Sequence, residues 1–272
     1  MLKYKLGIIG CGNMGEALAA GILSQGKIKE KEIIVYDQKE DRNLYMEENY
    51  RVIPAKSIQE ILESSEYVLL AVKPQNIEEL LKKVKEFIGN SKFISIIAGI
   101  PTYYIENKIG GKVPVIRVMP NTPALVNKGV FAISKGKYAT GKELNFTVSL
   151  LSGMGEIVEI EEKFQNLVTA LSGSGPAYFF LFCKCIIEGG IKNGIDPEIV
   201  KKLVIGTMEG SAEILKRKGG DISQLIDMVT SPGGTTEKAL EIFHKAGFEK
   251  IVSDAIDSAF KRAGELENML NS

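Results

Sequence analysis

The feature that most constrains the fold is a glycine pattern near the start of the chain. In "GIIGCGNMGEAL", Gly10, Gly12 and Gly15 form G-x-G-x-x-G directly after an apolar, β-branched run and at the opening of a helical pattern. A strand, a glycine turn and a helix in that order are typical of a dinucleotide-binding Rossmann unit. The pattern predicts that Gly10 permits the turn, Gly12 leaves room for a pyrophosphate, and Gly15 lets helix and strand approach closely. A glycine turn without a ligand is the alternative.

The glycine-rich loop and the end of the second predicted strand supply the first predicted cofactor contacts. All six loop residues are assigned to cofactor binding, with the Cys11 side chain turned aside: Gly10, Cys11, Gly12, Asn13, Met14 and Gly15. In "VYDQKEDR", Asp37 lies where an acid hydrogen-bonds the ribose hydroxyls of NAD and repels the phosphate of NADP. Lys39 and Arg42 lie close by and are able to bind that phosphate, so NADH and NADPH both stay open as cofactors.

Two further stretches follow predicted strands, at the sheet edge where α/β proteins bind ligands. "AVKPQ" lies at the end of the predicted strand "EYVLLAV" and places four residues beside the cofactor: Ala71, Val72, Lys73 and Pro74. "RVMPNTPA" lies at the end of the predicted strand "PVIRV", where Asn121 offers amide donors and two prolines stiffen the turn. We expect cofactor contacts from both stretches. A surface loop is the alternative at Lys73, and a rigid turn is the alternative at Asn121.

Short β-branched runs alternate with amphipathic stretches through the first half of the chain. The predicted strands are "KLGIIG", "EIIVYD", "EYVLLAV", "KFISII" and "PVIRV", and "GVFAISKG" and "GEIVEI" extend the sheet with a helix between them. This alternation predicts an α/β fold over residues 1–161, a Rossmann-type doubly wound, mostly parallel sheet covered by helices. Residues 162–272 show helical periodicity without strand-like alternation, so we expect an all-helical second domain there.

The second domain contains a helix that is apolar on nearly every face, "AYFFLFCKCII". A small domain hides such a helix only by surrounding it, and few other helices are available to do so. We therefore expect this domain to be a dimerisation domain in a homodimer, with a higher oligomer of dimers left open. A central core helix in a monomer is the alternative.

Composition restricts the partners of the chain. The 34 basic and 34 acidic side chains cancel without a block of like charge, so we expect no nucleic-acid or membrane partner. Three cysteines without CxxC pairing and a single histidine speak against a disulfide framework and a metal site. We expect no apolar run long enough to cross a bilayer, and a reducing cytoplasm as the location. Small molecules and copies of the chain are the expected partners.

Five motifs together closely resemble the pyrroline-5-carboxylate reductase family, the enzymes that make proline: "GIIGCGNMG", "AVKPQ", "RVMPNTPA", "ALSGSGPAY" and "SPGGTT". The likeness runs nearly end to end. It implies a Rossmann domain, a helical domain that interlocks with its twin, and hydride transfer from NADH or NADPH to the ring imine of 1-pyrroline-5-carboxylate, giving L-proline. Asp37 is a departure, since members that favour NADPH usually have a small, polar or basic residue at this strand end.

The resemblance also assigns a role to the neutral loop "SPGGTT". It implies substrate at Ser231, Gly233, Gly234, Thr235 and Thr236, with the Thr236 hydroxyl meeting the ring nitrogen as the catalytic group. A cyclic imine with a carboxylate needs an anion site and a hydrogen bond to nitrogen, and it needs no strong base. Amides of the two glycines and of the next helix start are expected to hold the carboxylate. On the loop alone, a helix-to-helix turn with a threonine cap is the favoured reading.

Two other functions stay open at this point. β-Hydroxyacid dehydrogenases also join a Rossmann domain to helices, and they use the lysine of a GxGxxxK pattern as acid and base. Here that position, after Gly173 and Gly175, holds Phe179, which favours reduction of C=N over oxidation of an alcohol. A non-catalytic NAD(P)-sensing oligomer is the alternative from another class. The loop speaks against it, because a pure sensor has no use for a substrate anion site.

Overall fold

A computed structural model describes residues 3–268 and places an eight-stranded sheet in the first part of the chain. The strands are β1 (Tyr4–Ile9), β2 (Ile33–Tyr36), β3 (Ile53–Pro54), β4 (Ser65–Leu70), β5 (Lys92–Ser95), β6 (Val115–Met119), β7 (Gly129–Lys135) and β8 (Gly155–Glu159). Their order across the sheet is β3-β2-β1-β4-β5-β6-β7-β8. β1 to β6 are parallel, β7 is antiparallel to β6, and β8 is parallel to β7. The predicted mostly parallel, doubly wound sheet is confirmed.

Helices connect the strands and make up the rest of the chain. Those between strands are α1 (Asn13–Ser24), α2 (Glu40–Tyr50), α3 (Ile58–Ser64), α4 (Ile77–Phe87), α5 (Thr102–Ile109) and α6 (Gly141–Leu151). Those after β8 are α7 (Gln165–Val168), α8 (Gly175–Lys192), α9 (Pro197–Lys218), α10 (Ile222–Met228), α11 (Thr235–Lys245) and α12 (Phe248–Asn268), with a π-helical segment, Thr169–Gly173, before α8. Every described element after β8 is helical, as predicted.

The central strands of the sheet pack into two core clusters, one on each face, because successive strand residues point to opposite sides. In β1, Leu6 and Ile8 belong to one core cluster, which also contains Leu18 of α1 and Leu150 of α6. Ile9 belongs to the other cluster, with side chains of α3, α4 and α5. A strand that is buried on both faces is apolar along most of its length, which explains the mostly apolar sequences of β1 and β4.

The chain forms two compact bodies. The first contains the residues up to Ser174 together with those from Ala259 onward, and the second is Gly175–Ser258. Three aromatic rings pack together inside the second body, those of Phe182, Phe243 and Phe248, with centroids 5.4–6.1 Å apart. The domain division between residues 161 and 162 stays a prediction.

The second body leaves large apolar side chains exposed in a single chain. Phe179, Phe180 and Leu181 of α8 are 64%, 61% and 61% exposed. The helical stretch Glu162–Lys192 is long and apolar enough, by length and composition, to cross a bilayer, so the expectation that no run approaches that length was wrong. The reason is that the apolar residues on every face of α8 continue those of the helical turns before it.

Candidate cofactor and substrate sites

A cleft of about 510 Å³ lies at the carboxyl ends of β1, β2 and β4, and we call it the switch-point cleft. β1 and β4 are neighbours in the sheet, but β2 and β3 lie on one side of this pair and β5 to β8 on the other. Open α/β sheets bind ligands in the crevice at such a reversal. The loops after β1 and β4 and the end of β2 form its walls.

The three glycines of the loop after β1 have the different environments that the sequence predicts. Gly10 has φ 103°, and a Cβ there would lie 2.6 Å from the carbonyl oxygen of Ala71. A Cβ on Gly15 would overlap the carbonyl oxygen of Gly10. A Cβ on Gly12 would meet no atom within 4 Å, and Gly12 lines the cleft. Space for a ligand therefore lies beside Gly12, whereas Gly10 and Gly15 serve the packing of the loop.

The start of α1 has backbone donors for an anion. Its N-cap is Gly12, and no side chain caps this helix start in the described structure. The first amides of a helix have no partner inside the helix, and they lie at the positive end of its dipole. A pyrophosphate group fits this loop, because the amides and the open space beside Gly12 are on the same loop.

Asp37, at the end of β2, is held by backbone groups on both sides. Its carboxylate accepts hydrogen bonds from the amide of Cys11 at 2.7 Å and from the amide of Lys39 at 3.0 Å. The buried side chain of Asn43 holds the backbone of Asp37: Oδ1 accepts from its amide at 2.7 Å, and Nδ2 donates to its carbonyl at 2.9 Å. The acid is therefore fixed against the glycine-rich loop and lines the cleft.

Arg42 also lines the cleft, but its guanidinium is already bound. Nε donates to the carbonyl of Cys11 at 2.8 Å, Nη2 pairs with the carboxylate of Glu16, and the guanidinium lies 4.7 Å from the ring centroid of Tyr45. Tyr50 donates its hydroxyl to the other oxygen of Glu16 at 2.9 Å. Burial raises the pKa of Glu16, but the hydrogen bonds from Arg42 and Tyr50 outweigh it and hold the pKa below its usual value.

The predicted cofactor residues divide into two groups. Seven line the switch-point cleft: Gly10, Gly12, Asn13, Asp37, Ala71, Val72 and Lys73. Five do not: Cys11, Met14, Gly15, Pro74 and Asn121. The buried amide of Asn121 accepts from the backbone N–H of Val130 at 2.8 Å and donates to the hydroxyl of Ser172 at 3.2 Å. Cofactor contact by these residues stays a prediction.

Cys11 is buried in the loop, as expected for a side chain turned away from the cleft. Burial, and then the nearby Asp37 carboxylate, raise the pKa of its thiol to about 12. Because the thiolate is the reactive form, we expect Cys11 to resist iodoacetamide at pH 8 in the folded enzyme and to react in urea. Mass spectrometry of the alkylated peptides measures this, and equal labelling in both conditions would contradict it.

The substrate-loop candidates lie between α10 and α11 in the second body. Gly233 has φ 71°; its amide donates to the Glu237 carboxylate at 2.9 Å, and the amide of Gly234 donates to the Ser231 carbonyl at 2.9 Å. The two glycine amides that were expected to hold an anion therefore already have partners, one in α11 and one in the loop. The amides left for an anion are those of the first turn of α11.

The two threonines begin α11 rather than cap it. The N-cap is Gly234, without a side-chain cap hydrogen bond, and the helix begins at Thr235. Among the hydrogen bonds of the described residues, none uses the hydroxyl of Thr235 or Thr236. The alternative that a threonine caps this helix is therefore wrong, and both hydroxyls are available to a ligand.

The sequence did not point to Glu16, Asn43 or Tyr50. Glu16 and Tyr50 bind partners that are distant in the sequence, and Asn43 lies on α2, a helix with little apolar pattern. No motif marks such residues. Among residues 3–268, no group of three or more histidine, cysteine or acidic side chains is placed to hold a metal ion.

Comparisons with known proteins bear on the whole chain. Residues 162–266 match the family model for pyrroline-5-carboxylate reductase dimerisation, and residues 5–99 match that for NADP oxidoreductase, coenzyme F420-dependent. Pyrroline-5-carboxylate reductase of Synechocystis is 36% identical over 97% of this chain and 99% of its own. Pyrroline-5-carboxylate reductase 2 of Bacillus subtilis is 33% identical over 97% and 95%.

A solved structure agrees with these matches. Pyrroline carboxylate reductase of Plasmodium falciparum, crystallised with NADP bound, superposes with a TM-score of 0.90 at 32% identity, covering 98% of this chain and 99% of its own. The dimerisation match confirms the predicted homodimer and accounts for the apolar surface of α8. The chain belongs to the pyrroline-5-carboxylate reductase family.

Proposed function

We propose that the chain reduces 1-pyrroline-5-carboxylate to L-proline, the last step of proline biosynthesis, with NADH or NADPH as the hydride donor. The observation that carries this proposal is the end-to-end match to pyrroline-5-carboxylate reductases. The match spans both the switch-point cleft in the first body and the loop Ser231 to Thr236 in the second. No observation favours the hydroxyacid dehydrogenase or the sensor.

The switch-point cleft has the donors and the space that a nicotinamide dinucleotide needs. We assign the pyrophosphate to the amides after Gly12 and the adenosine ribose to Asp37. When bound, the cofactor supplies the hydride. The first body binds and orients the cofactor. Hydride transfer needs no acid or base among the cleft residues.

We assign the ring of the imine substrate to the loop Ser231 to Thr236. We assign the carboxylate to the first-turn amides of α11, where the helix dipole favours an anion, with the hydroxyls of Ser231 and Thr235 as further donors. The hydroxyl of Thr236 is assigned to the ring nitrogen, which it orients. The imine is protonated on nitrogen when the hydride adds to its carbon, so C=NH⁺ becomes CH–NH and the proton on nitrogen is the one that the substrate brings. Positioning of the two reactants supplies most of the rate in this scheme.

The proposal is tested by the loss of NADH or NADPH absorbance when the imine is added to the purified enzyme. Equimolar formation of L-proline supports it. Cofactor binding without turnover would favour the sensor, and oxidation of hydroxy acids with NAD(P)⁺ would favour the dehydrogenase. We also propose a cytoplasmic location, which the three free cysteines support.

Replacing Asp37 with serine is expected to shift cofactor preference toward NADPH. The substitution removes the charge that repels a 2′-phosphate and the acceptor for the ribose hydroxyls, so the ratio of kcat/KM for NADPH over NADH should rise about tenfold. Initial rates with both cofactors measure the ratio. Asp41→Ser is the control, because Asp41 lines the same cleft without a hydrogen bond to the glycine-rich loop. An unchanged ratio in Asp37→Ser would refute the role of Asp37.

A further inference from the structure

Arg42 and Lys39 are the two cations near Asp37 that line the switch-point cleft, and Arg42 is the one that binds the glycine-rich loop. The Asp37 carboxylate accepts a hydrogen bond from the amide of Cys11, and the Arg42 guanidinium donates one to the carbonyl of Cys11. Both side chains therefore bind the backbone of the same loop residue. Both side chains line the switch-point cleft. A guanidinium in that place is well suited to pair with a 2′-phosphate if its charge is available.

Glu16 already pairs with Arg42, so a phosphate would have to compete with this carboxylate for the guanidinium. The Arg42 and Glu16 side chains form an ion pair and are only 26% and 22% exposed, so solvent screens the pair less than it screens a surface pair. The hydroxyl of Tyr50 fixes the second oxygen of Glu16, and the ring of Tyr45 lies against the guanidinium. Moving Arg42 to a phosphate would leave a half-buried carboxylate without its partner, which costs free energy.

Resting on the proposed function, we infer that Glu16 is a specificity-determining residue. By holding Arg42 in an ion pair, it withholds the guanidinium from a 2′-phosphate and makes the cleft select NADH over NADPH. Asp37 repels the phosphate directly, whereas Glu16 acts through Arg42. The two residues therefore contribute separately to the same preference.

Nucleotide fragments test this inference without any turnover. The probes are 5′-AMP and adenosine 2′,5′-bisphosphate, which differ only in the 2′-phosphate, titrated calorimetrically into the full-length dimer. We expect the parent enzyme to bind the bisphosphate more weakly than 5′-AMP. In Glu16→Gln, affinity for the bisphosphate should rise about tenfold while affinity for 5′-AMP changes less than about twofold.

Three further variants separate the charge of Glu16 from a structural effect. Glu66→Gln breaks a partly buried ion pair with Lys92 outside the cleft and should leave both affinities unchanged. Tyr50→Phe frees one oxygen of Glu16 and should give a smaller gain than Glu16→Gln. The double variant Glu16→Gln/Arg42→Gln should lose the gain, because the gain depends on the released guanidinium.

Two results would overturn the inference. One is a parent enzyme that binds the bisphosphate more tightly than 5′-AMP, which needs no variant and so does not depend on the folding of Glu16→Gln. The other is a gain that persists when Arg42 is also replaced. Failure of the proposed function would look different, since the parent would then form no proline while the affinities for both probes stayed measurable.

Discussion

Replacing Gly12 with valine is expected to abolish cofactor binding while the fold survives. The Gly12 backbone is extended, with φ −70° and ψ −176°, a conformation that valine adopts readily. Its side chain would enter the open space in the cleft, where the pyrophosphate is assigned. The dissociation constant for NADH should therefore rise at least about 100-fold, which corresponds to about 2.7 kcal/mol. Titration of NADH fluorescence measures the constant.

Thermal unfolding supplies the control for this variant. The midpoint of Gly12→Val should fall by less than about 4 °C, because a Cβ at this position meets no protein atom and the exchange of glycine for valine at the N-cap of α1 costs about 1 kcal/mol. Gly10→Ala, in contrast, should clearly lower the midpoint of unfolding. Its positive φ and the nearby Ala71 carbonyl make the methyl group cost about 1–3 kcal/mol of stability. If Gly12→Val bound NADH like the parent, the assignment of the pyrophosphate would be wrong.

Replacing Thr236 with valine is expected to lower kcat about 100-fold, because the ring loses the hydrogen bond that orients its nitrogen and a misplacement of about 1 Å can cost that much. Valine keeps the shape of threonine and removes only the hydroxyl assigned to the ring nitrogen. The KM for the cofactor should stay the same, because the cofactor cleft belongs to the other body. Steady-state kinetics with varied imine and fixed cofactor measures the effect.

The serine variant is the matched comparison for Thr236. Thr236→Ser keeps the hydroxyl and should retain most of the parent kcat. Because the N-cap of α11 is Gly234 and no threonine side chain caps it, neither variant should lower the unfolding midpoint measurably. Parent-like kcat in Thr236→Val would remove the hydroxyl from the mechanism and leave positioning by the loop backbone.

Most of the sheet could be predicted from the sequence, because β1, β2 and β4 to β7 are mostly buried and therefore rich in apolar, β-branched residues. β3 escaped prediction since it has two residues, too few for any periodicity, and ends in Pro54 at the sheet edge. The length of the apolar stretch ending in α8 was underestimated for another reason. The helical turns before "AYFFLFCKCII", from Phe164 onward, contain small and polar residues but no charged one, so the mean hydropathy stays high along the whole stretch.

The candidate site was predictable where backbone geometry limits the residue type. Gly10 needs a positive φ, and a Cβ on Gly15 would overlap the Gly10 carbonyl, so these two positions limit the loop to glycine. The ion pair of Glu16 with Arg42 joins residues 26 positions apart, and any acid and base at those positions look like ordinary surface charges. Such pairs are visible only once the fold brings their helices together.

The loop "SPGGTT" shows the limit of motif reasoning in a different way. The sequence predicted an anion site from its two glycines, but the Gly233 amide is bound by the Glu237 carboxylate of the chain itself. Which amides stay free depends on where α11 begins and where Glu237 points. Neither is determined by the six residues of the motif.

Deuterium transfer shows whether a nicotinamide held in the cleft gives a hydride to the ring imine. The enzyme is incubated with 1-pyrroline-5-carboxylate and NADH or NADPH that carries deuterium on one face of nicotinamide C4, and the proline is examined by mass spectrometry and NMR. We expect one deuterium at the δ carbon of proline, from one face only. Proline without deuterium from either labelled face, or no proline at all, would contradict it.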